Sequence, residues 1–181
     1  MKHPLNTLRE RLEGKLKEDD LLEIAYRAQG TEDKPMKRAL YRLLFDEDKC
    51  MAAQAAWVFC HFDRHTDEWL HDKHDALADE AMRTPDARLR RLLLSLLLRQ
   101  PFPPERFRTD FFNFCMDGIC AAHEPTAVRC LCMKLAYEQC KPFAELRAEL
   151  QTVLDSLETD LLPAGMRATR RNLLKAIGRL D

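Results

Sequence analysis

The stretch CHFDRHTDEWLHDKH, residues 60–74, holds four of the chain's six histidines together with a cysteine and several acids. Imidazole, thiolate and carboxylate are the usual ligands of zinc, and two pairs have ligand-like helical spacing: His61 with His65, and His71 with Asp75. A zinc site needs three or four such groups converging within about 2.0–2.3 Å of one point. The two pairs fall on different helices, so spacing alone does not unite them. The register of the neighbouring helices reads the stretch as a hinge. His61 ends one helix, His65 lies in the turn, His71 faces outward, and His74 faces the core or its rim. No metal and no cofactor is assigned.

Other chemistry is sparse. Ser95 sits inside a leucine run and Ser156 between apolar positions, neither in a Gly-x-Ser-x-Gly context. The five glycines are scattered, so no phosphate-cradling loop forms. No catalytic residue is assigned. DFFNFCMDGIC, residues 110–120, is the remaining conspicuous stretch. Phe111 and Phe114 fall in a core register, whereas Phe112 lies at its flank. Phe112 and Met116 beside Asn113 would make a contact patch, since aromatic residues and Met are enriched at interfaces.

The elements that must position these residues are helical. Apolar residues make up 46% of the 181 and charged residues 33%, with few glycines and little β-branching, a globular and helix-favouring balance. A formal charge of −1 gives no global field for nucleic acid or anionic lipid. The longest apolar run, Leu92 to Leu98, is far short of the roughly 20 residues that span a bilayer. The seven cysteines are odd in number and form no C-x-x-C, and the N-terminal stretch carries no apolar run. Reduced thiols and a cytoplasmic location are expected.

The chain repeats itself. MAAQAAWV from Met51, LRRLLLSL from Leu89, VRCLCMKL from Val128 and MRATRRNL from Met166 align without gaps at offsets of 38, 39 and 38. Between them runs a second register. Leu70, His74, Leu77, Ala78 and Ala81 match Phe107, Phe111, Phe114, Cys115 and Gly118, and then Leu146, Leu150, Val153, Leu154 and Leu157. Each set follows i, i+4, i+7, i+8, i+11, one face of an α-helix. Pro85, Pro125 and Pro163 stand at the starts of the first type of helix, Pro104 and Pro142 at those of the second, and Thr66 is the expected N-cap of the helix after the hinge. Helices are expected near 5–17, 19–29, 34–46, 48–63, 66–83, 86–99, 104–121, 125–140, 142–160 and 165–180.

Helical pairs of about 40 residues, with a proline-started first helix and an early Val-Arg pair, resemble HEAT or armadillo-type repeats; EPTAVRCLCMKLA from Glu124 carries the likeness best. The resemblance covers about residues 48–180. It implies an all-α, right-handed α-α superhelix of about four helix pairs plus end helices. The chain is then one solenoid domain over 1–181, with 1–46 as capping helices and 47–181 as repeats. The family's repeating arginine maps onto Arg90, Arg129 and Arg167, where the resemblance implies a structural role between neighbouring repeats; Ala52 breaks the series.

Such solenoids mostly hold partners, and the resemblance puts the second type of helix on the concave side. The outward residues there are Asp72, Ala76 and Asp79, then Thr109, Asn113, Met116 and Cys120, then Ala148, Thr152, Asp155 and Thr159. Segments 67–82, 105–118 and 143–160 together hold fourteen Asp/Glu against four Lys/Arg. The expected function is therefore a non-catalytic scaffold binding a protein or peptide on a mildly acidic strip.

The alternative is a DNA- or nucleobase-binding protein similar to the alkylpurine DNA glycosylases of HEAT-like fold. An acidic strip repels phosphate, so nucleic acid is disfavoured unless the basic first-type helices form the working face. A homodimer through Leu173, Leu174 and Ile177 of the final helix is a third expectation.

Overall fold

The computed structural model describes residues 4–13, 17–30 and 32–180, apart from the side chains of residues 4–7, 66 and 67. Among the described residues there are ten α-helices and no strand. They are α1 (Pro4–Leu12), α2 (Glu18–Ala28), α3 (Pro35–Leu43), α4 (Lys49–Cys60), α5 (His74–Arg83), α6 (Ala87–Leu97), α7 (Thr109–Cys120), α8 (Thr126–Cys140), α9 (Ala144–Ser156) and α10 (Ala164–Ile177). Short 3₁₀ segments cover Arg64–Lys73, Pro104–Arg106 and Thr159–Leu161. None of the described helices is long and apolar enough to cross a membrane.

Every expected helix is present, with local differences. The expected extension of the first helix toward residue 17 falls partly on residues 14–16, outside the described ones. The helix expected over 66–83 begins as a ten-residue 3₁₀ segment and becomes α only at His74. The backbone is already 3₁₀ from Arg64, and the side chain of the expected cap Thr66 lies outside the described residues. Pro104 opens a 3₁₀ turn rather than α7, which starts at Thr109. Aspartates provide the side-chain caps that the proline pattern obscured. Asp48 accepts from the Cys50 and Met51 amides and Asp86 from the Leu89 amide at 2.6 Å, satisfying donors that a helix N-terminus leaves without partners.

The chain forms two compact units, Met1–Gln100 and Pro101–Asp181. In the first, α4 packs on α6, α5 pairs with α6, and α1 and α2 pack on α3 and α4. In the second, α8 packs on α7, α9 and α10. Within each unit the first-type helices stack directly on one another, α4 on α6 and α8 on α10.

Both registers read from the sequence point inward. Met51, Leu89, Val128 and Met166 are each at most 3% exposed, and the second-register positions are all buried or half-buried. Leu92, Leu93, Leu94, Leu96 and Leu97 are likewise buried, so α6 is covered on several sides. Truncating one of them to Ala would cost about 2–5 kcal/mol, a large part of a domain's stability.

Candidate functional site

In the first unit a groove of about 530 Å³ is lined by Asp33, Arg38, Tyr41, Arg42, Trp69, Asp72 and Lys73. One wall is α3, where Lys37, Arg38, Tyr41 and Arg42 recur at helical spacing and so share a flank. The other wall is the 3₁₀ segment that carries Trp69, Asp72 and Lys73.

Trp69 is fixed from several directions. Its indole N–H donates to Asp33 Oδ1 at 3.2 Å, and its ring meets Tyr41 edge-on at 5.7 Å between centroids. The Lys73 ammonium sits 3.8 Å from the Trp69 ring centroid, while donating to the Trp69 carbonyl at 2.9 Å and to Asp72 at 2.7 Å. On another side lies Lys37, 0% exposed, its ammonium 5.3 Å from the same ring. Lys37 is not stranded, for it donates to the carbonyls of Gly30 and Glu32. Gly30 has φ +112°, a conformation L side chains rarely adopt, in the turn that presents those carbonyls. Burial, then the neighbouring Lys34, lowers the Lys37 pKa, and burial followed by Asp72 raises that of Tyr41.

Arg38 reaches Asp33 at 3.1 Å, whereas exposed Arg42 has no carboxylate partner among the described residues. The groove thus offers an aromatic wall, a free guanidinium and two acids at its rim. Such an arrangement can bind a ligand that offers apolar surface together with charge.

Of the residues expected on the outward strip, Asp72 lines this groove and Asp79 is exposed on α5. In the second unit Thr109 and Asn113 share an exposed flank of α7, and Thr152 and Asp155 are exposed on α9. Thr152 is turned back to the Ala148 carbonyl at 2.9 Å, and Asp155 pairs with Arg170 at 3.4 Å. Phe112 and Met116 do not lie on the strip. They are 2% and 8% exposed, with Phe112 against Phe107 at 5.7 Å between ring centroids. α7 is covered on two flanks, which a single apolar stripe does not reveal.

The histidines separate. His61 caps α4, its ring against Trp57 at 3.7 Å and its Nδ1–H donating to the Trp57 carbonyl at 2.9 Å. His65 is exposed, His71 is half-buried rather than outward, and His74 is buried as its register implied. Among the described residues no three His, Cys, Asp or Glu side chains form a group that could hold a metal ion. Trp69, Tyr41 and Lys37 lie outside both repeating registers of the sequence. A tryptophan in an otherwise polar run, and a basic helix start KPMKRALYR, were the available signals.

A family model described as HEAT repeat domain matches residues 8–177, from α1 to the end of α10. The chain belongs to the HEAT repeat domain family. No curated protein and no solved structure matches it.

HEAT repeats typically mediate protein interactions, and the early arginines of these repeats act locally, on the helix just before their own. Arg90 of α6 donates to the Ala81 carbonyl at 3.3 Å and to the Thr84 carbonyl, at the end of α5. Arg129 of α8 donates to the Ile119 carbonyl at 3.0 Å, at the end of α7. In α10 the same service falls to Arg170, which donates to the Leu154 carbonyl at 2.5 Å, while Arg167, the residue in register, is exposed. The last carbonyls of a helix have no intrahelical donor and carry its negative dipole end, so a guanidinium suits them.

Proposed function

We propose that this HEAT repeat chain, read as one solenoid domain over 1–181, is a non-catalytic scaffold. It holds a protein or peptide partner, and the groove between α3 and Arg64–Lys73 is its anchoring point. The observation that carries this is the composition of the groove. Trp, Tyr and Arg dominate the residues whose loss weakens protein complexes, and here Trp69, Tyr41 and Arg42 meet in one concavity with Trp69 already held in place. A side chain entering there loses little of its affinity to ordering the receptor. Asp72 at the rim joins the groove to the acidic second-type positions, with Asp79 exposed on the following helix.

The test is affinity capture with the wild-type chain and with an Arg38→Glu/Arg42→Glu variant, both positions being exposed. The reading requires a discrete protein that the wild type retains, that the variant loses at unchanged melting temperature, and that purified components reproduce. A partner held equally by both proteins would remove the groove from the function.

A further inference from the structure

α10 carries a line of cations that neither the fold nor the groove uses. Arg167, Arg171 and Lys175 recur every four residues, and Arg179 continues the series just past the helix end. All four are exposed, and none has a carboxylate partner among the described residues. The contrast with Arg170, next to Arg171 in the chain, is informative. Arg170 is folded back onto Leu154, Asp155 and Thr159 of the preceding elements, so the helix does tether a guanidinium where the fold needs one. Like charges four residues apart repel and cost helix stability. The stripe is therefore uncompensated and mildly unfavourable in the free chain.

We propose that this face of α10 is a docking surface for the phosphate backbone of a nucleic-acid duplex. At about 1.5 Å per residue, Arg167 to Arg179 spans roughly 18 Å. One strand of a duplex offers about five phosphates over that length, at fixed spacing. Alternative partners lack a foothold. Protein interfaces bury an apolar or aromatic centre. Of the apolar residues of α10, Met166, Leu173 and Ile177 are instead buried in the chain and Leu174 is half-buried, and its sequence contains no aromatic residue. An amphipathic membrane anchor needs the same missing apolar face. Single strands are held largely by base stacking on aromatic side chains, which the stripe also lacks.

What remains is charge at regular intervals beside a polar, exposed Asn172. Phosphate contacts of this kind position a duplex without reading its sequence. The acidic strip that disfavoured nucleic acid in the sequence lies on the second-type helices, whereas α10 is of the first type.

Fluorescence anisotropy with the full chain and a labelled duplex of arbitrary sequence tests this. Four neutralised phosphates give a slope of log affinity on log salt of about −3.6, a loss on the order of 100-fold between about 50 and about 200 mM salt. Arg171→Glu/Lys175→Glu should weaken binding by more than about tenfold and lower the slope by about 2. Arg88→Glu, exposed on α6 in the first unit, should leave both unchanged. The proposal is overturned if no duplex binding appears at about 50 mM salt, if the double variant binds like the wild type, or if the single strand or poly-glutamate binds as tightly as the duplex.

Discussion

Gly118 offers a direct measure of how closely α7 and α8 approach. A Cβ built on Gly118 would lie 2.6 Å from Cys132 Sγ and 3.4 Å from Cys132 Cβ. Non-bonded carbon contacts are optimal near 3.5–4.0 Å, so the sulfur is overlapped by roughly 1 Å. Cys132 is 0% exposed, and it shares with Gly118 the lining of a cavity of about 160 Å³, so its thiol must turn toward that space to clear the new methyl. In a helix interior Gly→Ala normally stabilises by about 1 kcal/mol. Forcing a packed side chain off its rotamer to admit an extra methyl costs about 1–3 kcal/mol. Gly118→Ala should therefore be neutral to destabilising by about 2 kcal/mol, losing the gain that propensity would give. Cys132→Ala removes the sulfur and leaves the 3.4 Å contact as the nearest. On that background Gly118→Ala should stabilise by about 1 kcal/mol. Equilibrium urea unfolding of the four proteins, followed by far-UV circular dichroism, gives the cycle, and a favourable coupling of about 1–3 kcal/mol is expected. If the coupling were below about 0.5 kcal/mol, the close approach of the two helices would be refuted.

Thiol reactivity should follow burial. In native protein near pH 8, exposed Cys50 and Cys120 should react first with a disulfide reagent, half-buried Cys60 and Cys130 more slowly, and Cys115, Cys132 and Cys140 only on unfolding. Burial pushes the Cys115 thiol well up and that of Cys140 to about 11, so neither supplies the reactive thiolate at that pH. Mass-spectrometric mapping of labelled sites checks the order, and early modification of Cys115 would contradict the α7–α8 packing. At the start of α7, hydrogen bonds from Arg108, at 3.1 Å to Oδ1 and 2.5 Å to Oδ2, hold the Asp110 carboxyl below its usual pKa. A depressed carboxylate stabilises the fold above its unfolded pKa and loses that contribution as pH falls through the folded value. Asp110→Asn should therefore flatten the acid limb of the stability–pH curve slightly, by less than about 1 kcal/mol, because the carboxylate is exposed to solvent. An unchanged acid limb would show that the pair contributes nothing.

The translational register was the most legible feature. A position such as Leu89 is buried in the folded chain because the same face must be apolar each time a helix is packed on its neighbours, and repetition makes that face visible. Gly118 was also placed correctly on the inward register, though the sulfur that demands a small residue there comes from another helix. Phe112 and Met116 were misplaced because α7 has two covered flanks, and a single stripe of spacing reports only one. The groove was illegible for a related reason. Its walls come from residues 33–42 and 69–73, and only Asp72 among them falls on the outward face of the second-type register. Trp69 in turn belongs to a 3₁₀ segment, where an α-helical wheel assigns faces wrongly.

Short helices explain why charge counts mislead in this chain. Each helix end leaves carbonyls without donors, and the ten helices among the described residues make many ends. Arg99 serves the Cys60 and Phe62 carbonyls at 2.9 and 2.7 Å, Arg147 serves Lys141 at 2.8 Å, and Arg90, Arg129 and Arg170 serve the ends of α5, α7 and α9. These guanidiniums are half-buried and directed inward, so they contribute to stability and little to the field a partner meets. The cations left over, among them Arg42 in the groove and Arg171 and Lys175 on α10, set the external electrostatics. A formal charge of −1 averages the two populations and describes neither. In the dipeptide Arg170-Arg171 one side chain closes a helix and its neighbour faces solvent. Their common chemistry is divided by a rotation of about 100° around the helix axis, the angle between successive residues at 3.6 per turn.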